Sequence, residues 1–419
     1  MSRRLLIAHC TLVTPRGNEA RRGAEMNELH VVEDAFVFSE DGIIKATGSM
    51  EALEALALEG TAEWLDAKGR VLLPGFVDSH THLVFGGFRP DEFSWRLKGD
   101  TYMSIMERGG GIQSTVNSTR DASTESLLEK AKWFADKMSE MGVTTVEAKS
   151  GYGLDTPTEL KMLEALEALR KDYADRIGVV ATFLGAHAVP KEYAGRTTEY
   201  CDLIINEMLP LVKDKAEFFD IFTEKNVFEI DDSRRLLKAA RDAGMKLKLH
   251  ADEIVQLGGA ELAAEMGAVS ADHLLHVSDE GIRRMAESGT VATLLPLTAF
   301  ALKEPYAPAR KFIEGGCAVA LATDLNPGSC FSGSIPLTIA LACIYMNMSI
   351  EEVITALTLN GAAAVGRADS IGSIEAGKEA NFVLLDFPNY HFLPYYVGMN
   401  CVNTTIYKGN IVYSHHSIN

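Results

Sequence analysis

Five of the eleven histidines, His80, His82, His187, His250 and His273, stand at or just past the C-terminal ends of short apolar, β-branched runs. Asp78-Ser79-His80-Thr81-His82 closes the first of these runs. Alternate residues of an extended segment point the same way, so His80 and His82 can share one cation. His250 ends a second run and Asp324 a third, bringing three imidazoles and a carboxylate into one borderline-hard donor set that suits a single Zn²⁺ or Fe²⁺ ion. Glu253 follows His250 by three residues and His273 ends a further run. Both are expected to face water activated at the metal, one binding the nitrogen edge of a substrate and the other stabilising hydroxide. His187, in Gly185-Ala186-His187-Ala188-Val189-Pro190, is expected to polarise a substrate oxygen. Singly, each has a plainer reading: an exposed histidine pair, a helix N-terminal carboxylate for Glu253, a satisfied buried imidazole for His187. Their coincidence favours a site. His9, His30, His276, His391, His415 and His416 read as structural or surface residues.

Such convergence needs a scaffold that gathers strand ends. Between about residues 71 and 365 the chain alternates apolar runs with helical patterns, the signature of strand-helix units around a parallel sheet. The runs are 71–78, 143–149, 178–187, 217–224, 246–253, 268–275, 290–296 and 317–324; amphipathic helices are expected at 124–142, 158–172 and 233–244. Eight units predict a (β/α)8 barrel (residues 71–370), whose active sites form at the C-terminal ends of the strands. Residues 1–70 and 371–419 hold short strands and turns (RLLIAHCTLV, HVVEDAFVFSEDGIIKATG, NFVLLDF, TTIYKGNIVY). Neither piece can bury a core alone, so they are expected to combine into one small, β-sandwich-like domain.

Composition narrows the partners. The 419 residues are 47% apolar and 23% charged, an ordinary globular balance, and 40 basic against 58 acidic side chains leave a formal charge of −18 with no Lys/Arg-rich run, which speaks against nucleic acid. Six cysteines without a C-x-x-C pair point to free thiols in a reducing compartment, read as the cytoplasm. Ser2-Arg3-Arg4 before LLIAHCTLV mimics a short signal peptide, but His9 and Cys10 interrupt it and a first strand is expected. The uncharged stretch from Leu325 to Ile350 is broken by Pro327, Gly328, Gly333 and Pro336; its continuous apolar part is about 14 residues against the ~20 of a membrane helix, so it reads as a buried helix. The expected partners are a small carboxylate-bearing substrate and a second copy of the chain.

PGFVDSHTH (74–82), His250, His273 and the ATD ending at Asp324 resemble the amidohydrolase superfamily. FGGFRPDEF (85–93), Tyr102 with GGGI (109–112), KSGYGL (149–154), TFLGAHAVP (182–190), HADE (250–253), SADHL (270–274) and TDLNPGS (323–329) resemble, end to end, its imidazolonepropionase family. The resemblance implies hydrolysis of the cyclic amide C–N bond of 4-imidazolone-5-propanoate to N-formimidoyl-L-glutamate. It implies that His80, His82, His250 and Asp324 bind the metal and that Arg89, Tyr102, Tyr152 and His187 contact the substrate. Glu253, Asn326, Gly328 and Ser329 then line the pocket, and His273 is a catalytic partner. Some superfamily members bridge two metals with a carboxylated lysine on strand four. Here that strand ends Phe222-Thr223-Glu224, which implies a single metal; Lys225 comes one residue later. Two rivals stand beside this reading: deamination of a nucleobase-like ring on the same scaffold, and an inactive interaction protein.

Overall fold

In the computed structural model, which describes residues 3–55, 62–100, 104 and 108–415, eight parallel strands lie side by side in chain order. They are Phe76–Asp78, Val143–Lys149, Gly178–Ala186, Phe218–Thr223, Lys246–Ala251, Ser270–His273, Val291–Leu294 and Val319–Leu321. The helices between them begin where the local chemistry dictates. Ser123 caps Thr124–Glu140 by accepting from the Ser126 amide, and Asp155 caps Thr156–Asp172 by accepting from Thr158. Ile335–Tyr345, inside the uncharged stretch, is capped by Ser334 and is largely buried. No helix among the described residues is long and apolar enough to cross a membrane.

The first and eighth strands meet through side chains and the segments just beyond them. Asp78 accepts from the Thr323 amide at 3.0 Å and from its hydroxyl at 2.6 Å. Past the strands, the Asp324 amide donates to the His80 carbonyl at 3.0 Å and the His82 amide to the Leu325 carbonyl at 2.8 Å. The seam is therefore zipped by the residues singled out for chemistry. Burial pushes the Asp78 carboxyl up to about 7, against the pull of its Thr323 donors.

Alternation along the strands sends apolar side chains outward to the helices, where Val146, Ala148, Phe219, Ile221, Leu247, Leu249 and Ala271 join the main core. Inward positions are ionic: Glu147 and Lys149, Asp220, Lys248 and His250, Ser270 and Asp272, all buried.

The first sequence run divides. Gly75 separates Phe76–Asp78 from Val71–Pro74, which pairs antiparallel with Phe382–Leu385 and parallel with Arg4–Thr14 in a second, mixed sheet of eight strands. A Cβ at Gly75 would lie 2.2 Å from Thr144 Oγ1, so only glycine lets the chain step between the sheets here. His30–Glu40, Ile43–Ser49, Glu63–Asp66, Val402–Tyr407 and Asn410–Ser414 complete that sheet, which draws on both chain ends and has its own apolar cluster around Leu12, Val37, Leu72, Phe382 and Ile406.

Candidate active site and metal centre

His80, His82, His250 and Asp324 converge at the C-terminal mouth of the barrel, all at most 3% exposed. His80 Nε2 and His82 Nε2 each lie 3.5 Å from Asp324 Oδ1, and His82 Nε2 lies 3.3 Å from His250 Nε2. These spacings match the edge, about 3.4 Å, of a tetrahedron of donors 2.0–2.1 Å from a central ion. His80 Nε2, Asp324 Oδ1 and both nitrogens of His273 are buried without a hydrogen-bond partner, a costly arrangement for polar atoms that a cation would relieve. Burial, reinforced by neighbouring cationic groups, holds His80, His82 and His273 far below the usual imidazole range, so they present neutral nitrogens. His250 is the exception: burial lowers it, yet Asp220 outweighs burial and raises it. The donor set fits one divalent ion.

The second side of each key imidazole is also engaged. His80 Nδ1 donates to Asp272 Oδ2 at 2.6 Å and His250 Nδ1 donates to Asp220 Oδ1 at 3.1 Å, which leaves each Nε2 lone pair facing the centre. Thr298 donates to Asp324 Oδ2 at 2.6 Å and leaves Oδ1 facing the imidazoles. Asp324 and His273 both carry left-handed backbone, φ +53° and +76°, strain that a non-glycine residue keeps only where its surroundings impose it.

Residues 71–412 match the family model described as "Amidohydrolase family". The chain is 62% identical to the imidazolonepropionase of Bacteroides thetaiotaomicron over 415 residues, covering 99% of each, and 62% identical to that of Phocaeicola vulgatus over 416 residues, covering 99% of this chain and 100% of the relative. The chain belongs to the amidohydrolase family. Among solved structures, a zinc-bound adenosine deaminase from Xanthomonas campestris superposes with a TM-score of 0.74 over 97% of this chain and 92% of its own, at 20% identity, a likeness of fold.

Around the centre of this amidohydrolase the remaining singled-out residues fall into place unevenly. The His273 ring centroid lies 5.1 Å from that of His250, and its Nε2 is 3.5 Å from Glu253 Oε2. Burial first, then repulsion from Asp324, pushes Glu253 up to about 8. His187 stacks on His82 at 5.0 Å and donates from Nδ1 to the Gly151 carbonyl at 2.9 Å. Burial holds His187 down to about 3, so Nε2 carries a lone pair. In this tautomer His187 Nε2 can accept a hydrogen bond, whereas the expected polarising of a substrate oxygen needs a donor there. Tyr152 is buried 5.2 Å from the His187 ring.

Arg89 is nearly buried, 3.7 Å from Glu92, with its Nε lacking a partner. Its guanidinium rests on Gly328, where an added Cβ would lie 2.0 Å from Nη2. Asn326 is spent on its own loop: Oδ1 accepts from the amides of Gly328 at 2.8 Å and Ser329 at 2.7 Å, and Nδ2 donates to the Asp324 carbonyl and to Ser329 Oγ. Tyr102 and His416 lie outside the described residues. Lys225 is exposed.

Four functional elements escaped the sequence reading: Asp220 and Asp272 behind the imidazoles, Thr298 behind Asp324, and Glu159. Glu159 is buried and accepts from the amides of Gly151, Gly153 and Leu154 at 3.0, 2.8 and 2.9 Å, shaping the loop that carries Tyr152. The available signal was a lone acid within an apolar run, as in FFDIF and SADHL.

Proposed function

We propose that this amidohydrolase adds water across the cyclic amide C–N bond of 4-imidazolone-5-propanoate, opening the ring to N-formimidoyl-L-glutamate. The observation that carries the substrate assignment is Arg89, a nearly buried guanidinium cradled on Gly328 beside buried Tyr152, placed to receive a propionate. A neutral nucleobase would offer that guanidinium, which lies 3.7 Å from Glu92, no second carboxylate, and this weighs against deamination. The 62% identity to imidazolonepropionases over 99% of this chain supports the same reading.

His80, His82, His250 and Asp324 would hold one divalent ion, Zn²⁺ or Fe²⁺. When bound, it supplies Lewis acidity and brings the pKa of water toward neutrality. Asp324, pushed up to about 6 by burial against the pull of Thr298, is suited to take a proton at Oδ2, the oxygen not offered to the ion, and release it to the ring nitrogen that leaves. His273, neutral, with neither nitrogen hydrogen-bonded and Nε2 3.5 Å from Glu253, would stabilise hydroxide at the centre. Glu253 keeps its proton to about 8 and can donate to an unprotonated ring nitrogen, while His187 Nε2 accepts from a ring N–H. Tyr152 and Arg89 bind the carboxylate.

Cytoplasmic residence is supported by six free cysteines, five of them buried. A homodimer is the expected assembly, decided by light scattering. The test of function is turnover of imidazolonepropionate followed by ring absorbance and ammonia together. Ring loss without ammonia is expected; stoichiometric ammonia would overturn the reading in favour of a deaminase.

A further inference from the structure

Beneath the candidate metal centre, the inward side chains of four strands form a closed ionic ladder. Lys149 Nζ bonds Glu147 Oε1 at 2.8 Å and Asp220 Oδ2 at 2.7 Å, while Asp220 Oδ1 takes His250 Nδ1. Lys248 Nζ donates to Ser270 Oγ at 2.6 Å and lies 3.6 Å from Asp272 Oδ2; Ser270 donates to Asp272 Oδ1 at 2.6 Å, and Asp272 Oδ2 takes His80 Nδ1. Every side chain of the ladder is fully buried. Burial alone would strip the proton from Lys149, yet Asp220, Glu147 and Asp272 together outweigh it and keep the ammonium charged.

This ladder runs through a cluster of donor atoms that could itself hold a cation. Donor atoms of His80, Asp220 and Asp272 lie within 4.8 Å of one another, a hard, oxygen-rich cluster, but an ammonium is already in contact with Asp220.

We propose that Lys149 and Lys248 are positioning residues that reserve Asp220 and Asp272 as acceptors for His250 and His80, and that the Lys149 ammonium takes the place of a second metal ion. The inference rests on the metal reading given above and deepens it. The lysines turn two carboxylates that could ligate a metal into anchors that fix imidazole tautomers. The centre is thereby limited to one ion, with each anchored Nε2 pointing inward before the ion arrives.

Two measurements test it. In metal-free wild-type protein labelled with ¹⁵N-histidine and held at alkaline pH, where His250, raised by Asp220, is also neutral, His80 and His250 should both be protonated at Nδ1 and bare at Nε2; the reverse tautomer at either would overturn the proposal. After equilibration with excess Zn²⁺ and gel filtration, the wild type should hold one equivalent. Lys149→Met, with circular dichroism matching the wild type, should take up a second. A folded Lys149→Met that still holds one equivalent with unchanged affinity would sink the cation-replacement claim. If that variant does not fold, Asp220→Asn replaces it: His250 should lose its tautomer preference and Zn²⁺ affinity should fall roughly 10- to 100-fold, and unchanged affinity would count against the proposal. Wild-type protein that binds no metal would overturn the metal reading itself, while the tautomer measurement still decides the positioning role.

Discussion

Arg89 sits where a protein of charge −18 must attract an anion with local rather than global charge. A charged hydrogen bond is worth ~1.5–3 kcal/mol, roughly 10- to 150-fold in affinity. Arg89→Met should therefore raise KM for imidazolonepropionate by at least ~10-fold while hardly changing that of an analogue with an amidated carboxylate; equal losses on both would assign Arg89 to loop support. Glu253 makes a separate prediction about stability. Its carboxyl is held at about 8, far above the ordinary ~4.3, so between those values the native state keeps a proton that the unfolded chain releases. Stability of the metal-free protein should then fall as pH rises through that window and level off above about 8. Glu253→Gln removes this component, so its urea midpoint should gain on the wild type between pH 5 and pH 8.5. A constant difference between the two proteins across that range would show that Glu253 titrates normally.

At the scale of elements, the loop after the eighth strand and the segment after the first are fitted to each other closely at Gly328 and Arg89. Gly328→Ala would place a methyl 2.0 Å from the Arg89 guanidinium, the flexible end of a side chain, so the arginine should shift while the fold survives. KM should rise as in Arg89→Met, with kcat within about threefold of wild type and an unchanged melting temperature; a fall in kcat alone would place the damage at Asp324 instead. Which elements were legible in the sequence follows from how strands encode direction. His80, His82, His250 and Asp324 could be read because they end apolar runs, where a barrel gathers its chemistry. Asp220, Lys248 and Asp272 could not, because F-D-I-F and K-L-K-L-H alternate as a half-exposed strand does, with polar residues facing water. Here the polar face turns into the barrel and the apolar face meets the helices. The split at Gly75 was hidden for a related reason: both halves of VLLPGFVD are buried, and only the clash with Thr144 shows that two sheets meet there. Asn326 was expected to line the pocket, but its turn-forming bonds were invisible without the loop's geometry.

For the whole molecule, the core is apolar between strands and helices, so the fold should not depend on the ion. Prolonged chelation should abolish turnover, restored by Zn²⁺ or Fe²⁺, while the far-ultraviolet circular dichroism stays that of the native protein; a collapse of the spectrum would make the metal structural. The seam between the first and eighth strands bears on biosynthesis. Asp78 and Thr323 are 245 residues apart, and His80 and His82 wait on the same closure for Asp324. Val71–Pro74 likewise waits for Phe382–Leu385 to cover its edge. A ribosome therefore releases most of this chain before any of it can hold a metal ion with four donors. Acquisition of a four-donor ion thus waits until Asp324 has left the ribosome, and a truncated chain ending before residue 324 would lack one of the four donors.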